Sequence, residues 1–274
     1  MLITPFKFNS AAVITVSGVT LNKVLIKSIL AFCIMNSNLK VYCDFDGTIT
    51  HKDTWVDTGE YFIRDKEKWH KVIQDFESGE IGARECFIKE CSLIENFDID
   101  IFNKIIDSQE IDIYFKDFVN YCRDNNIELI ILSEGMDYYI ERILNKLGLD
   151  LPYYSNNLVF SEDKMHISLK FPYSDSDCKD CGCCKRNLLL NNTGDDEISV
   201  YIGDGLTDTC PVQYADMVFA KKSLASYCWK NNITYFDYTN FQDIKQKLEK
   251  ILAGKRIKHR QTAKFKRREV FLRG

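Results

Sequence analysis

The sequence predicts an α/β fold, a Rossmann-like doubly wound parallel sheet with a helical segment inserted after the first strand. Three observations carry this. Four short runs, residues 40–43, 129–132, 198–202 and 217–220, are almost continuously apolar, as strands buried on both faces must be. Stretches with apolar residues at helical spacing alternate with them, the pattern that builds a parallel sheet covered on both sides. The first three runs end in polar clusters, Asp44/Asp46, Ser133 and Asp204/Asp208, at the edge where open α/β sheets hold their ligands.

The elements follow in order. Lys40-Val41-Tyr42-Cys43 is the first strand and runs into Asp44-Phe45-Asp46-Gly47-Thr48. A long charged stretch, about 55–120, carries Phe62, Trp69, Val72, Ile73 and Phe76, then Phe87, Ile88, Cys91 and Leu93, at helical spacing. Phe115, Phe118, Val119 and Cys122 lead a helix into the second strand, Glu128-Leu129-Ile130-Ile131-Leu132, ending at Ser133. Residues 138–147 read as a helix stopped by Gly148. Alternation in 157–160 and 166–171, split by Ser-Glu-Asp-Lys, predicts a hairpin. A helix opens at Lys185. The third strand, 198–202, ends in Gly203-Asp204-Gly205; the fourth is 217–220, and a last helix covers roughly 241–252.

Composition bounds the function. The chain has 274 residues, 45% hydrophobic and 28% charged, with 4 Pro and 13 Gly, which excludes global disorder and allows a sizeable core. Its net charge of −4 is uneven: residues 1–43 hold four Lys and no acid, and 255–274 hold nine Lys/Arg and one Glu. The body between them carries 39 acidic and 23 basic residues, a net of −16. Such a body repels nucleic acid and anionic membrane, so neither is expected as a ligand of the core. Eleven cysteines, an odd count in a chain this long, argue for a reducing compartment, and a cytoplasmic location is expected. Residues 1–38 are apolar but interrupted by Lys23 and Lys27, short of the roughly 20 residues of a membrane span. They read as an N-terminal extension ahead of a second Met at 35, with a targeting segment as the alternative. The expected organisation is this extension, a core of 39–54 and 121–252, an insert of 55–120, and a basic, solvated tail of 253–274.

The chemistry lies in the polar clusters. Asp44 and Asp46 leave the first strand two residues apart, on one face at extended geometry. One aspartate can attack phosphorus, and the other can protonate a leaving oxygen and then activate water. Gly47 frees the backbone to turn, and Thr48 adds a hydroxyl. Two carboxylates alone repel phosphate, so a cation is required; Asp204, with Asp208 nearby, offers hard oxygen ligands suited to Mg²⁺. Ser133 and the N–H groups after it suit phosphate oxygens where a helix begins, and Lys185 adds fixed positive charge. Taken singly, Asp44 and Asp46 fit a solvated turn, Ser133 fits a helix cap, and Lys185 is uninformative. Their order and their placement at strand ends make them a site.

These residues carry a resemblance. Asp44-Phe45-Asp46-Gly47-Thr48-Ile49-Thr50, Leu132-Ser133, Lys185 and Gly203-Asp204-Gly205-Leu206-Thr207-Asp208 resemble the four motifs of the haloacid dehalogenase superfamily of phosphatases, over roughly 39–250. Thr50 to Asp53, Ser133-Glu134-Gly135-Met136-Asp137-Tyr138-Tyr139 and Cys181-Gly182-Cys183-Cys184-Lys185 resemble the phosphoserine-phosphatase-like branch and are most similar to the 2-hydroxy-3-keto-5-methylthiopentenyl-1-phosphate phosphatases of methionine salvage. The resemblance implies Asp44 as nucleophile and Mg²⁺ ligand. It makes Asp46 the acid/base, with its carbonyl on the metal. Asp204 becomes a metal ligand and Asp208 its support. Lys185, Thr48, Ser133, Glu134 and Gly135 hold phosphate, and Asp53 faces the substrate. The insert becomes a small helical cap that closes over the site. Two positions depart from the family pattern: Glu134 replaces a small Gly, and Arg186 a Pro.

The expected activity is Mg²⁺-dependent hydrolysis of a small phosphorylated metabolite through an aspartyl-phosphate. Phosphoserine or another phospho-alcohol is the alternative substrate, and a non-catalytic binding protein of this fold, its tail on an anionic partner, the alternative class. Cys178, Cys181, Cys183 and Cys184 crowd one run without the separated knuckles of common zinc sites, so reduced structural thiols are expected and zinc is the alternative.

Overall fold

The structure, a computed structural model, describes residues 14–16, 19–21, 39–175, 178, 180–254 and 257–273. Strands β1 (Ile14–Val16) and β2 (Val19–Leu21) pair antiparallel in a small sheet of their own. The expected reading of the rest of 1–38, including Met35, lies outside the described residues.

The main sheet contains β3 (Leu39–Cys43), β4 (Glu128–Met136), β5 (Tyr153–Phe160), β6 (Ile167–Lys170), β7 (Ile198–Gly203), β8 (Met217–Ala220) and β9 (Phe236–Asp237). Their spatial order is β6-β5-β4-β3-β7-β8-β9, parallel except for the edge strand β6. Period-two alternation divides the side chains between two layers. Val41, Ile131, Val200 and Ile202 join one core with α5 (Phe115–Asp124) and α9 (Phe241–Leu252); Tyr42, Ile130, Leu132 and Tyr201 join a second with α7 (Lys185–Asn192) and α8 (Lys222–Lys230). Val41, Ile131, Leu132, Val200 and Ile202 are fully buried, each contributing about 1.5–3 kcal/mol. This is the doubly wound sheet expected from the apolar runs.

The central strand sets the site. Cys43 pairs with Ile131 on one side and with Ile202 on the other. That register brings Asp44, Ser133 and Asp204 to one edge within two residues of each other. The chain leaves the sheet at Thr50 and returns beside it at Ile111, where the two residues form an antiparallel bridge. Between them lie α1 (Thr54–Phe62), α2 (Lys66–Ser78), α3 (Ala83–Leu93) and α4 (Ile99–Asp107). Helix α5, which an insert boundary at residue 120 would divide, belongs to the layer on the sheet with α9: the Phe115 and Phe241 rings of the two helices lie 4.9 Å apart.

Two elements differ from expectation. Strand β4 runs past Ser133 to Met136, with a register shift after Leu132 where Met136 comes opposite Asn156; α6 (Asp137–Leu147) starts only there. Ser133 therefore sits in a bulged strand end rather than at a helix start. The solvated tail is the other. Over 257–273 the chain docks on the core, with α10 (Gln261–Arg273) and a fully buried Ala263. The reason is Asp216, 7% exposed ahead of β8: a buried carboxylate needs charged or hydrogen-bonding partners. Arg267 Nη2 and the Arg260 N–H each donate to its Oδ1 at 3.0 Å. Among the described residues no helix is long and apolar enough to cross a membrane.

Candidate active site

Asp44 is the first residue beyond β3 and is 6% exposed. Its N–H donates to Ile202 O at 2.9 Å, and its Oδ1 accepts from Lys185 Nζ at 2.6 Å. Lys185, from the first turn of α7, also donates to Asp208 Oδ1 at 2.7 Å and to Thr207 Oγ1 at 3.2 Å. Burial alone would lower the ammonium's pKa, but the charges of Asp208 and Asp44 outweigh it and hold Lys185 charged. Burial, then the charge of Asp208, pushes the Asp44 carboxyl well up.

Asp208 is a supporting residue whose oxygens are all engaged. Its Oδ2 accepts from the N–H groups of Asp204 and Gly205, at 3.0 and 3.1 Å, and its Oδ1 accepts from Tyr201 as well as Lys185. It thereby fixes the loop that presents Asp204. Thr48 Oγ1 donates to Asp204 Oδ1 at 3.1 Å, which turns its hydroxyl toward the carboxylate rather than the cavity. Gly47 at φ +74° passes so close that an added Cβ would lie 2.4 Å from Asp204 Oδ2.

Asp46 points the other way, toward the insert. Its Oδ1 accepts from the Thr54 N–H at 2.9 Å and its Oδ2 from the Tyr139 hydroxyl at 2.6 Å. Burial raises its pKa, against the pull of those donors. Gly135 makes room for this contact: a Cβ there would sit 1.9 Å from the Tyr139 oxygen. Ser133 is buried, its Oγ accepting from the Gly135 N–H at 2.8 Å, and it lines the cavity with Asp44 and Asp46. Glu134 turns its carboxylate aside: Oε2 accepts from the Gly182 and Cys183 N–H groups, both at 3.0 Å. The departure from a small residue therefore braces the loop before Lys185. Asp53 caps α1, its Oδ1 accepting from Trp55 N and Val56 N, and it stands at the cavity mouth.

The carboxylates of Asp44, Asp204 and Asp208 bring oxygens within 4.8 Å of one another. Asp44 and Asp208 pair with the one buried ammonium and Asp204 with the half-exposed Lys222, while Asp46 adds a fourth acid to the cavity without an ion pair to either lysine. Lys222 Nζ donates to Asp204 Oδ2 at 2.8 Å and to Gly47 O at 3.1 Å, two oxygens that seek positive charge. This surplus of negative charge, presented by hard oxygens at the cavity, fits a divalent cation such as Mg²⁺. Asp44 and Asp204, which line the cavity, suit it; Asp208, saturated by donors, does not.

Sequence reasoning passed over Tyr139 and Lys222. Tyr139 ends the run from Ser133 that carries the family resemblance, but nothing in that run marks it as the partner of Asp46. Lys222 was reachable, since it follows β8 at the same carboxyl edge. The insert contributes the other wall of a cavity of about 330 Å³: Trp55, Val56, Ile73, Phe76, Ala83 and Phe87. Behind it Glu90 is buried, its two oxygens accepting from the indole N–H groups of Trp55 and Trp69 at 2.9 and 2.8 Å.

A buried carboxylate clamped by lysine, with an acid two residues on and a second acidic loop from the neighbouring strand, defines a class. The haloacid dehalogenase-like hydrolase model matches residues 41–210, and the chain belongs to that family. Its activity is that of a phosphoric monoester hydrolase. The 2-hydroxy-3-keto-5-methylthiopentenyl-1-phosphate phosphatase of Bacillus cereus (strain B4264) is 32% identical over 223 residues, covering 80% of this chain and 99% of that protein. The enzyme of the same name from Bacillus pumilus (strain SAFR-032) is 31% identical over 225 residues, 81% and 94% of the two chains. A phospho-aspartyl intermediate analogue of phosphoserine phosphatase superposes with a TM-score of 0.59 at 17% identity, over 76% of this chain and 97% of that one, a likeness of fold.

Proposed function

We propose that the protein hydrolyses a small phosphomonoester through an aspartyl-phosphate on Asp44, with Mg²⁺ as cofactor, and that its substrate is 2-hydroxy-3-keto-5-methylthiopentenyl-1-phosphate. The observation that carries this is the division of labour between two carboxylates two residues apart. Asp44 is held by Lys185 against the sheet, and Asp46 is held by Tyr139 and Thr54 at the insert. Mg²⁺ held by the Asp44 and Asp204 carboxylates and the Asp46 carbonyl would supply positive charge to the phosphoryl oxygens.

An Asp44 oxygen attacks phosphorus, and the bond from phosphorus to the substrate's alcohol oxygen breaks. Asp46, its pKa raised by burial, gives its proton to that oxygen. The Tyr139 hydroxyl can donate to the ionised form of Asp46 and accept from the protonated one. Asp46 then takes a proton from water, whose oxygen attacks phosphorus and restores the Asp44 carboxylate. Lys185 and the Ser133–Gly135 segment balance charge on the phosphoryl group throughout.

The apolar wall of Trp55, Val56, Ile73, Phe76 and Phe87 supports a leaving group with a thioether chain. Lys222 is the one basic residue lining the cavity among the described residues, and phosphoserine would require a partner for its carboxylate. A second reading, an ammonium-bearing phospho-alcohol such as phosphocholine, is favoured by Asp53 and Glu77 beside the same aromatic wall. Phosphate release from the thioether ester, phosphoserine and phosphocholine, each with Mg²⁺ and with EDTA, tests the assignment. The expected result is Mg²⁺-dependent release, fastest from the thioether ester. Faster release from phosphocholine selects the second reading, and release that persists in EDTA removes the metal from the account.

A further inference from the structure

Lys222 lines the cavity, yet the chemistry described above gives it no task. It opens α8, two residues beyond β8, at a φ of +49°. A residue with a Cβ adopts this left-handed conformation only where its surroundings hold it there. Asp204 holds it. The Asp204 carbonyl accepts from the Leu224 N–H at 3.0 Å and from the Ser223 hydroxyl at 3.2 Å, which fixes the first turn of α8 to the acidic loop. From that turn the Lys222 ammonium reaches back to Asp204 Oδ2 at 2.8 Å and to Gly47 O at 3.1 Å.

The two ends of this ion pair differ. The Asp204 side chain is 10% exposed and its other oxygen accepts from the Thr48 hydroxyl at 3.1 Å, whereas the Lys222 side chain is 53% exposed. Lys222 is therefore the partner that can leave for water. Lys185 cannot, being buried between Asp44 and Asp208. A divalent cation drawn to Asp204 finds both oxygens engaged, and two cations on one carboxylate repel each other. The half-exposed ammonium is the one that yields.

We propose that Lys222 is a resident counter-ion of the metal site: its ammonium holds Asp204 and the Gly47 carbonyl while the divalent cation is absent, and the cation displaces it. The inference rests on the Mg²⁺ reading above. In the metal-free protein Asp44, Asp204 and Asp208 bring oxygens within 4.8 Å of one another, and Lys185 pairs with only two of these acids. Lys222 supplies the missing charge for the third. Because binding the cation breaks this ion pair, Lys222 lowers metal affinity. It is a positioning residue that acts through Asp204 rather than on the reacting atoms. A contact that merely braced Asp204 would have the opposite effect, since its loss would loosen a metal ligand and weaken binding.

The test is Mn²⁺ titration of the full-length, metal-free protein without substrate, with free Mn²⁺ read by electron paramagnetic resonance. Lys222→Met keeps the stem and the same backbone strain but removes the charge. It should lower the Kd for Mn²⁺ about fivefold, the scale of a half-exposed ion pair. Saturating Mn²⁺ should also raise its melting temperature by more than it raises that of the wild type. Lys222→Gln, a second neutral variant, should do the same. Lys222→Arg, which keeps the charge, should not tighten binding, and Asp204→Asn should remove most of it in either background. Equal or weaker Mn²⁺ binding in both neutral variants, or equal tightening in Lys222→Arg, would overturn the proposal while leaving the metal on Asp204. Binding that survives Asp204→Asn, or none in the wild type, would overturn the Mg²⁺ reading and this proposal with it.

Discussion

On the sheet side of the cavity the charged groups are fixed by multiple partners. Lys185 bridges Asp44 and Asp208, and Asp208 accepts from two backbone N–H groups and a tyrosine. On the insert side Trp55, Val56, Ile73, Phe76 and Phe87 present apolar surface, and Glu90 is closed off by two indoles. Under the proposed function the first wall is preorganised for charge that develops on phosphorus, where a small displacement is costly. The second wall shapes space around a leaving group, where substitution trades one ester for another. On that reading the two walls divide reaction from choice of ester, with Asp46, held by Tyr139 and by the Thr54 N–H at the head of the insert, standing between them.

Variants on each wall sharpen that contrast. Asp44→Asn should lower phosphate release on the order of 10³-fold or more with every ester, while thermal unfolding remains cooperative. Asp46→Asn should cost roughly 10²-fold with alkyl esters and much less with p-nitrophenyl phosphate, whose leaving group needs no proton. An equal loss on both would remove Asp46 from the acid role. Phe76→Ala should raise KM for the thioether ester by about tenfold, a hydrophobic-pocket effect, with kcat nearly kept and p-nitrophenyl phosphate barely affected. A uniform fall in kcat would mean that the insert wall also orients the phosphoryl group. Tyr139→Phe removes one hydrogen bond of about 1 kcal/mol, roughly fivefold in kcat/KM for alkyl esters, and leaves the ranking of substrates unchanged.

The sheet wall was legible in the sequence because strand ends concentrate its chemistry. Apolar runs gave the positions of β3, β7 and β8, and their register delivers Asp44 and Asp204 to one edge. The insert wall was not, because its residues are ordinary helical apolar positions and their facing depends on how four helices pack. Trp69, for example, was visible as a helix-face residue, but its indole N–H reaching Glu90 was not. The tail departs from its expected solvation for a related reason. Nine basic residues in a row of twenty suggest solvation, and only the fold reveals the buried Asp216 that Arg260 and Arg267 satisfy. The end of β4 at Met136 likewise follows from pairing with β5, a tertiary contact that no local pattern announces.

The most direct test of the central claim is covalent. The protein is mixed with Mg²⁺ and a hydrolysed ester, quenched in acid during turnover and reduced with borohydride, which converts an aspartyl-phosphate to homoserine. Peptide mass spectrometry should find homoserine at position 44, dependent on substrate and absent from Asp44→Asn. Phosphate release with Asp44 unmodified, or reduction at another carboxylate instead, would contradict the account.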